Sequence, residues 1–302
     1  MRIVSLIPAA TEIIAGLIKD PADLVGITHE CDYPRWVRDR EVVVGPFDEL
    51  LPTLSPDEID RRVAEAASSG QSIYIIHEEK LASLRPDVII TQGLCDVCAV
   101  GPGEVAHAMG RLDPVPAIVS LSPSCVVDVL DDIVRIGDAI DRSQTARQWR
   151  ERLVTRLEWI GSLPRIEPAP KVLVLEWPAP LWSAGHWVPE MIDLAGGHPT
   201  AGEPGKPSTR LDVDIIQTDP PDFLLIASCG FDTEKNAQQI DQLKTLPGWN
   251  DCPAVRQRHV YAVDANSYFS RPSPRLVDGT EILLALLRGM PTPEGTVRRL
   301  LP

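Results

Sequence analysis

Ser124-Cys-Val-Val-Asp-Val-Leu-Asp-Asp-Ile-Val-Arg-Ile-Gly-Asp-Ala-Ile140 is the stretch that decides the fold. Its apolar residues at Val126, Val129, Leu130, Ile133 and Ile136 recur at close to the helical period. Trp149, Leu153, Leu157 and Ile160 carry the same rhythm on to Leu163. On either side the texture is different. Before it, short β-branched runs at Arg2–Ile7, Leu24–Ile27, Ser72–Ile76, Val88–Thr91 and Ala117–Leu121 alternate with helix-like segments at Ala10–Leu17 and Pro56–Ala67. The second of these opens with Ser55-Pro56 and then Asp57 and Glu58, as a helix start should. After it, strands return at Lys171–Glu176, Phe223–Ala227 and His259–Val263, followed by a helix over Pro274–Leu287. Strands alternating with helices predict an α/β chain with parallel-type sheets. The expectation is two α/β lobes, residues 1–122 and 165–302, joined by a long helical connector over 123–164.

Composition narrows the function classes. The protein has 302 residues, 44% hydrophobic and 24% charged, which is ordinary for a globular protein with a sizeable core. Its 43 acidic against 29 basic residues give a formal charge of −14, which argues against a nucleic-acid partner, since such proteins gather Lys and Arg on one face. Met1-Arg-Ile-Val-Ser-Leu-Ile-Pro8 reads directly as a first strand, without the basic leader and apolar core of an export signal. No run reaches the ~20 apolar residues that a membrane span needs. A cytoplasmic protein with its six cysteines mostly reduced is therefore expected, or a periplasmic or cell-surface one if a leader has been trimmed.

In open α/β sheets, ligands bind beyond the carboxyl ends of the strands, and here those positions hold the unusual residues. Thr28-His-Glu-Cys-Asp-Tyr-Pro34 and Leu94-Cys-Asp-Val-Cys98 follow strands of the first lobe. In the second, the strand ends carry Glu176-Trp-Pro-Ala-Pro-Leu-Trp-Ser-Ala-Gly-His-Trp187, Cys229-Gly-Phe231 and Asn266-Ser-Tyr-Phe-Ser-Arg-Pro-Ser-Pro-Arg275. Tryptophans interleaved with Pro, Gly and Ser suit a ligand loop better than a core, and the mixture of aromatic planes with soft ligands suits a large, flat, metal-bearing molecule. Cys95 and Cys98 could grip a metal or form a redox pair; a closed metal site would have to borrow His29 or Cys31. His186 reads equally as ligand-facing or structural. No G-x-S-x-G elbow, P-loop or G-x-G-x-x-G fingerprint is present.

The two lobes also echo each other. Leu81–Cys95 and Ile215–Gly230 each run from a helix tail through a Pro-Asp break into an apolar strand and a cysteine.

Arg2-Ile-Val-Ser-Leu-Ile-Pro-Ala-Ala-Thr-Glu12, Leu24-Val-Gly-Ile-Thr-His-Glu-Cys-Asp-Tyr-Pro34, Leu84-Arg-Pro-Asp-Val-Ile-Ile90 and Tyr268-Phe-Ser-Arg-Pro-Ser-Pro-Arg-Leu-Val-Asp278 carry a resemblance. Across nearly its whole length the chain resembles the cobalamin-binding branch of the periplasmic substrate-binding proteins that serve ABC importers of vitamin B12, haem and ferric siderophores. The resemblance implies two lobes joined by a rigid helix, with the ligand in the cleft between them, and an importer as partner only if an export signal has been removed. It also implies that Tyr33, Trp182, Trp187, Phe231, Tyr268 and Phe269 touch a corrin. Glu176, Trp177 and His186 stand in the same loops, and Arg271 and Arg275 would pair with peripheral carboxylates or phosphate. The leading expectation is thus a binding protein for cobalamin or a related tetrapyrrole-like metal chelate. The alternative is a metal- or thiol-dependent enzyme using His29, Cys31, Cys95 and Cys98, with zinc or iron, beside Glu30 and Asp32 as acid/base groups.

Overall fold

A computed structural model describes residues 1–48, 54, 58, 61–62, 65–66, 73–93 and 112–301. The chain divides into two units, one made of Met1–Pro123 and Leu130–Glu151, the other of Ser124–Val129 and Arg152–Pro302.

In the first unit, β1 (Ile3–Ser5) is followed by α1 (Pro8–Leu17), β2 (Leu24–Thr28), β3 (Glu41–Pro46), β4 (Tyr74–Ile76), α2 (Glu78–Ser83), β5 (Val88–Gln92) and β6 (Ala117–Leu121). The sheet order is β4-β3-β2-β1-β5-β6. β1, β2, β3, β5 and β6 run parallel, with Ile3 opposite both Leu24 and Val88, while β4 pairs antiparallel with β3. The central strands β1 and β5 are buried along their whole length, which is why they read as unbroken apolar runs. Val4, Leu6, Val43, Val44, Leu81 and Ile89 pack as one core cluster. The strand order reverses between β1 and β5, so the carboxyl ends of those two strands border the switch point where open sheets bind ligands.

The connector is a pair of helices, α3 (Val126–Ala139) and α4 (Ser143–Ser162). Asp128 accepts hydrogen bonds from the backbone N–H of Ser124 at 2.8 Å and of Cys125 at 3.3 Å, tying down the start of α3. Those bonds hold its carboxyl below the usual carboxylate range. The helices meet closely at Gly137, where a Cβ would stand 2.3 Å from that of Ala146. Toward the end of α4, Arg156 donates to Glu281 at 2.7 and 2.9 Å and to Asp278 at 2.5 Å.

In the second unit, β7 (Lys171–Pro178), β8 (Leu181–Ser183), α5 (Val188–Leu194), β9 (His198–Pro199), β10 (Phe223–Ile226), α6 (Thr233–Ala237), β11 (Val260–Val263), α7 (Leu276–Leu287) and β12 (Val297–Arg299) follow in order. The sheet runs β12-β11-β10-β7-β8, with β9 also on β7. Its centre is parallel and its edge strands β8 and β12 are antiparallel. Both sheets are therefore mixed rather than purely parallel. Four strands were not legible in the sequence: β3, β8, β9 and β12. The expected helix over Pro56–Ala67 falls largely outside the described residues.

Candidate functional site

The stretch Glu176–Trp187 was expected to be a loop. Its first part, as far as Ser183, is instead a β-hairpin, in which β7 turns back into β8 and Trp177 lies opposite Trp182. A strap runs alongside it: Ser183 N–H donates to the Thr209 carbonyl at 2.9 Å, Leu211 N–H to Leu181, also at 2.9 Å, and His186 N–H to Lys206 at 2.6 Å. These bonds hold His186 at φ +52, a left-handed conformation that a β-carbon disfavours. Ser208 donates its hydroxyl to Glu176, so the strap also engages that carboxylate.

Trp177 meets Phe231 with ring centroids 5.5 Å apart and tilted by 58°. Lys235 lies over the other partner, its ammonium 5.6 Å from the Phe231 centroid. Arg275 places its guanidinium 5.7 Å from the Tyr268 ring. Two buried polar atoms here have no hydrogen-bond partner among the described residues, the indole Nε1 of Trp177 and Nδ1 of His186. Burial also pushes the His186 imidazole below its ordinary pKa, which keeps it neutral at pH 7. His186 stacks on Trp187 at 5.4 Å.

Two of the expected ligand-facing rings are turned inward. Trp187 is 4% exposed and Phe269 2%, and the indole of Trp187 donates to the Phe269 carbonyl at 2.7 Å. The residues that reading the sequence missed are Ser208, Lys235, and Asn236 with Gln239 behind Phe231. None of them follows a strand directly, and only the acidic Asp232 that caps α6 hinted that an ordered element begins there.

In the first unit, Tyr33 is half exposed, at 50%. Cys31 is buried, and its sulfur lies 3.0 Å from the Thr11 hydroxyl and 3.4 Å from that of Thr28. His29 places Nδ1 3.2 Å from the Val44 carbonyl and Nε2 3.9 Å from Glu30. Cys95 and Cys98 lie outside the described residues. Among the described residues no three His, Cys, Asp or Glu side chains stand where they could hold a metal ion.

A family model described as periplasmic binding protein matches residues 3–267. The chain belongs to this family. The comparison with curated proteins matches none. Among solved structures, the fold is similar to that of the periplasmic heme-binding protein BhuT in complex with two hemes, with TM-score 0.70, 20% identity and 95% of this chain and 98% of that one covered. It is similar to RhuT from Roseiflexus sp. RS-1, a periplasmic heme-binding protein in apo form, at TM-score 0.69, 23% identity and 95% and 98% coverage. It is also similar to the periplasmic vitamin B12-binding protein BtuF of Vibrio cholerae, at TM-score 0.66, 19% identity and 95% and 96% coverage. At these identities the likeness is one of fold. The membership lends a cytoplasmic location no support. No helix among the described residues is long and apolar enough to cross a membrane.

Proposed function

We propose that this periplasmic binding protein takes up a flat metal chelate of the tetrapyrrole type, with cobalamin as the first candidate, and hands it to an ABC importer outside the cytoplasmic membrane. The observation that carries the reading is the aromatic and cationic platform of the second unit, where Trp177 meets Phe231 and Arg275 lies over Tyr268. Ring faces give a planar ligand stacking area, each aromatic contact adding about 0.5–1.5 kcal/mol beyond the area it buries. The guanidiniums of Arg271 and Arg275 match the carboxylates or phosphate at the edge of such a ligand, and they supply local positive charge on a chain whose net charge is −14. The unpartnered Trp177 indole offers an N–H donor to the ligand's polar rim. Tyr33, exposed on the first unit, is the aromatic candidate there.

The test is titration of the full chain with hydroxocobalamin and, separately, haemin. Binding shifts the visible absorbance of the chelate, and ligand at 100 times its Kd raises stability by about 2.7 kcal/mol, readable as a higher melting temperature. Trp177→Ala and Arg275→Gln should each weaken the affinity roughly tenfold, as expected for loss of about 1.4 kcal/mol of contact. If neither chelate, nor a ferric siderophore, shifts the absorbance or the melting temperature, the reading fails. Haem is the second candidate, because BhuT and RhuT, of the same fold, are heme-binding proteins; the ratio of the two measured affinities decides between them.

A further inference from the structure

Behind the Phe231 ring lies a side chain that no ligand can touch. Asn236 is fully buried, on the face of α6 turned toward the strand ends. Its Oδ1 accepts from the Ser228 N–H and from Gln239 Nε2, both at 3.0 Å. Its Nδ2 donates to the Val263 carbonyl at 2.9 Å and to the Phe231 carbonyl at 3.3 Å. The amide thus uses its two donors and both acceptor positions. Its orientation is fixed as well: a backbone N–H can only donate and a carbonyl only accept, so a flipped amide would face repulsion at three of the four contacts.

The partners of those bonds are informative. Ser228 and Phe231 belong to the loop leaving β10, whereas Val263 is the last residue of β11. The Phe231 carbonyl accepts a second bond, from the Asn266 N–H at 3.1 Å, at the start of the helical turn Ala265–Tyr268. One side chain therefore ties the loop that presents Phe231 to the loop that presents Tyr268. Gln239 braces it from behind, donating to the Ser228 hydroxyl at 2.9 Å.

We propose that Asn236 is a positioning residue, which locks the Phe231 and Tyr268 loops into one platform before any ligand arrives. Preorganisation of this kind acts on affinity because the ordering cost is met during folding and not during binding. The affinity part of this inference rests on the function proposed above; the coupling of the two loops does not.

The experiment has two arms, both on the full chain. Asn236→Asp keeps an acceptor for Ser228 and Gln239 and leaves at most one donor, a carboxyl O–H, for the Val263 and Phe231 carbonyls. In the ligand-free variant, hydrogen exchange read by mass spectrometry should speed up about tenfold in peptides over 228–232 and 264–270, with peptides over 171–175 unchanged. With hydroxocobalamin, dissociation should quicken about tenfold while association stays within about threefold. A residue that merely adds stability would lower the melting temperature and leave that local pattern flat, and such a result overturns the proposal. Where Asn236→Asp does not fold, Gln239→Met carries the same readout: it removes the brace together with an acceptor, Oε1, that is buried without a partner. A local rise of about threefold is then expected, and no rise overturns the idea. If the wild-type protein binds no chelate yet the exchange pattern appears, the ligand reading has failed and the loop coupling stands.

Discussion

Gly279→Ala sets two known effects against each other at one residue. Gly279 lies in the first half of α7, where alanine would ordinarily stabilise a helix by about 1 kcal/mol. A Cβ there would stand 2.2 Å from the Tyr268 carbonyl oxygen and 2.9 Å from Cε of Met191. The methionine end can swing aside, but the carbonyl belongs to the backbone and must move by about an ångström. Overpacking of this kind costs about 1–3 kcal/mol, and a backbone obstacle places it at the upper end. The net expectation is destabilisation by about 2 kcal/mol, with Tyr268 displaced and chelate affinity reduced. Urea unfolding followed by tryptophan fluorescence measures the first, with a lower midpoint at unchanged slope. Gly161→Ala is the control, because a Cβ at Gly161 of α4 meets nothing within 4 Å, so it should stabilise by about 0.5–1 kcal/mol. A Gly279→Ala protein as stable as the wild type would refute the close approach of α7 to the Tyr268 loop.

Asp128→Ala should cost about 1 kcal/mol, seen as a lower urea midpoint, because it strips the start of α3 of the carboxylate that accepts from Ser124 and Cys125. His259, stacked on Phe223 at 4.3 Å, is held by burial below the usual histidine pKa, so the fold prefers it neutral. The unfolded chain takes up that proton near pH 6.5, so stability present above about pH 6.5 declines as the pH falls toward the lower folded-state value. Melting temperatures at pH 7.5 and 5.5 should differ less in His259→Phe than in the wild type; His186 titrates in the same sense, so part of the drop remains. Cys31→Ala should lower stability by about 1–2 kcal/mol yet leave chelate affinity within about twofold, since its thiol is buried against two threonine hydroxyls. Loss of binding in that variant would mean the sulfur reaches the ligand.

The two-lobed α/β plan was legible because its central strands are buried on both faces and so write themselves as apolar runs: Val88–Gln92 and Phe223–Ile226 stand where the sequence placed strands. Strands that carry exposed or turn-forming residues write a weaker signal. The edge strand β12 is Val297-Arg-Arg299, with two exposed arginines, and β3, which lies inside its sheet between β4 and β2, opens on exposed Glu41 and closes on Gly45-Pro46, residues that otherwise mark a turn. β8 was hidden for another reason. Trp182 sits among Pro, Ser and Gly, a composition that suits a loop, and its pairing with Trp177 across the hairpin, beside those of Leu181 with Pro178 and Ser183 with Leu175, makes it a strand. That pairing is a contact between residues on opposite sides of a turn, and alternation along a single three-residue strand is too short to reveal it.

The site divides along the same line. Position after a strand told which segments would carry the unusual residues, because topology alone brings those segments to one end of a sheet. Which way each side chain turns was set by hydrogen bonds to residues far away in sequence. Trp187 is turned inward, where its indole donates to the backbone carbonyl of Phe269. Cys31 is turned into the first unit by Thr11 and Thr28, so its presence beside His29 in the sequence says nothing about a shared metal. A soft side chain in a motif reports what it could coordinate; a buried bond to a neighbour reports what it is already holding. On that criterion Trp177 and His186 of the second unit differ from Cys31, since the indole Nε1 of one and Nδ1 of the other are buried with no hydrogen-bond partner among the described residues, and neither nitrogen is already held by a neighbour there.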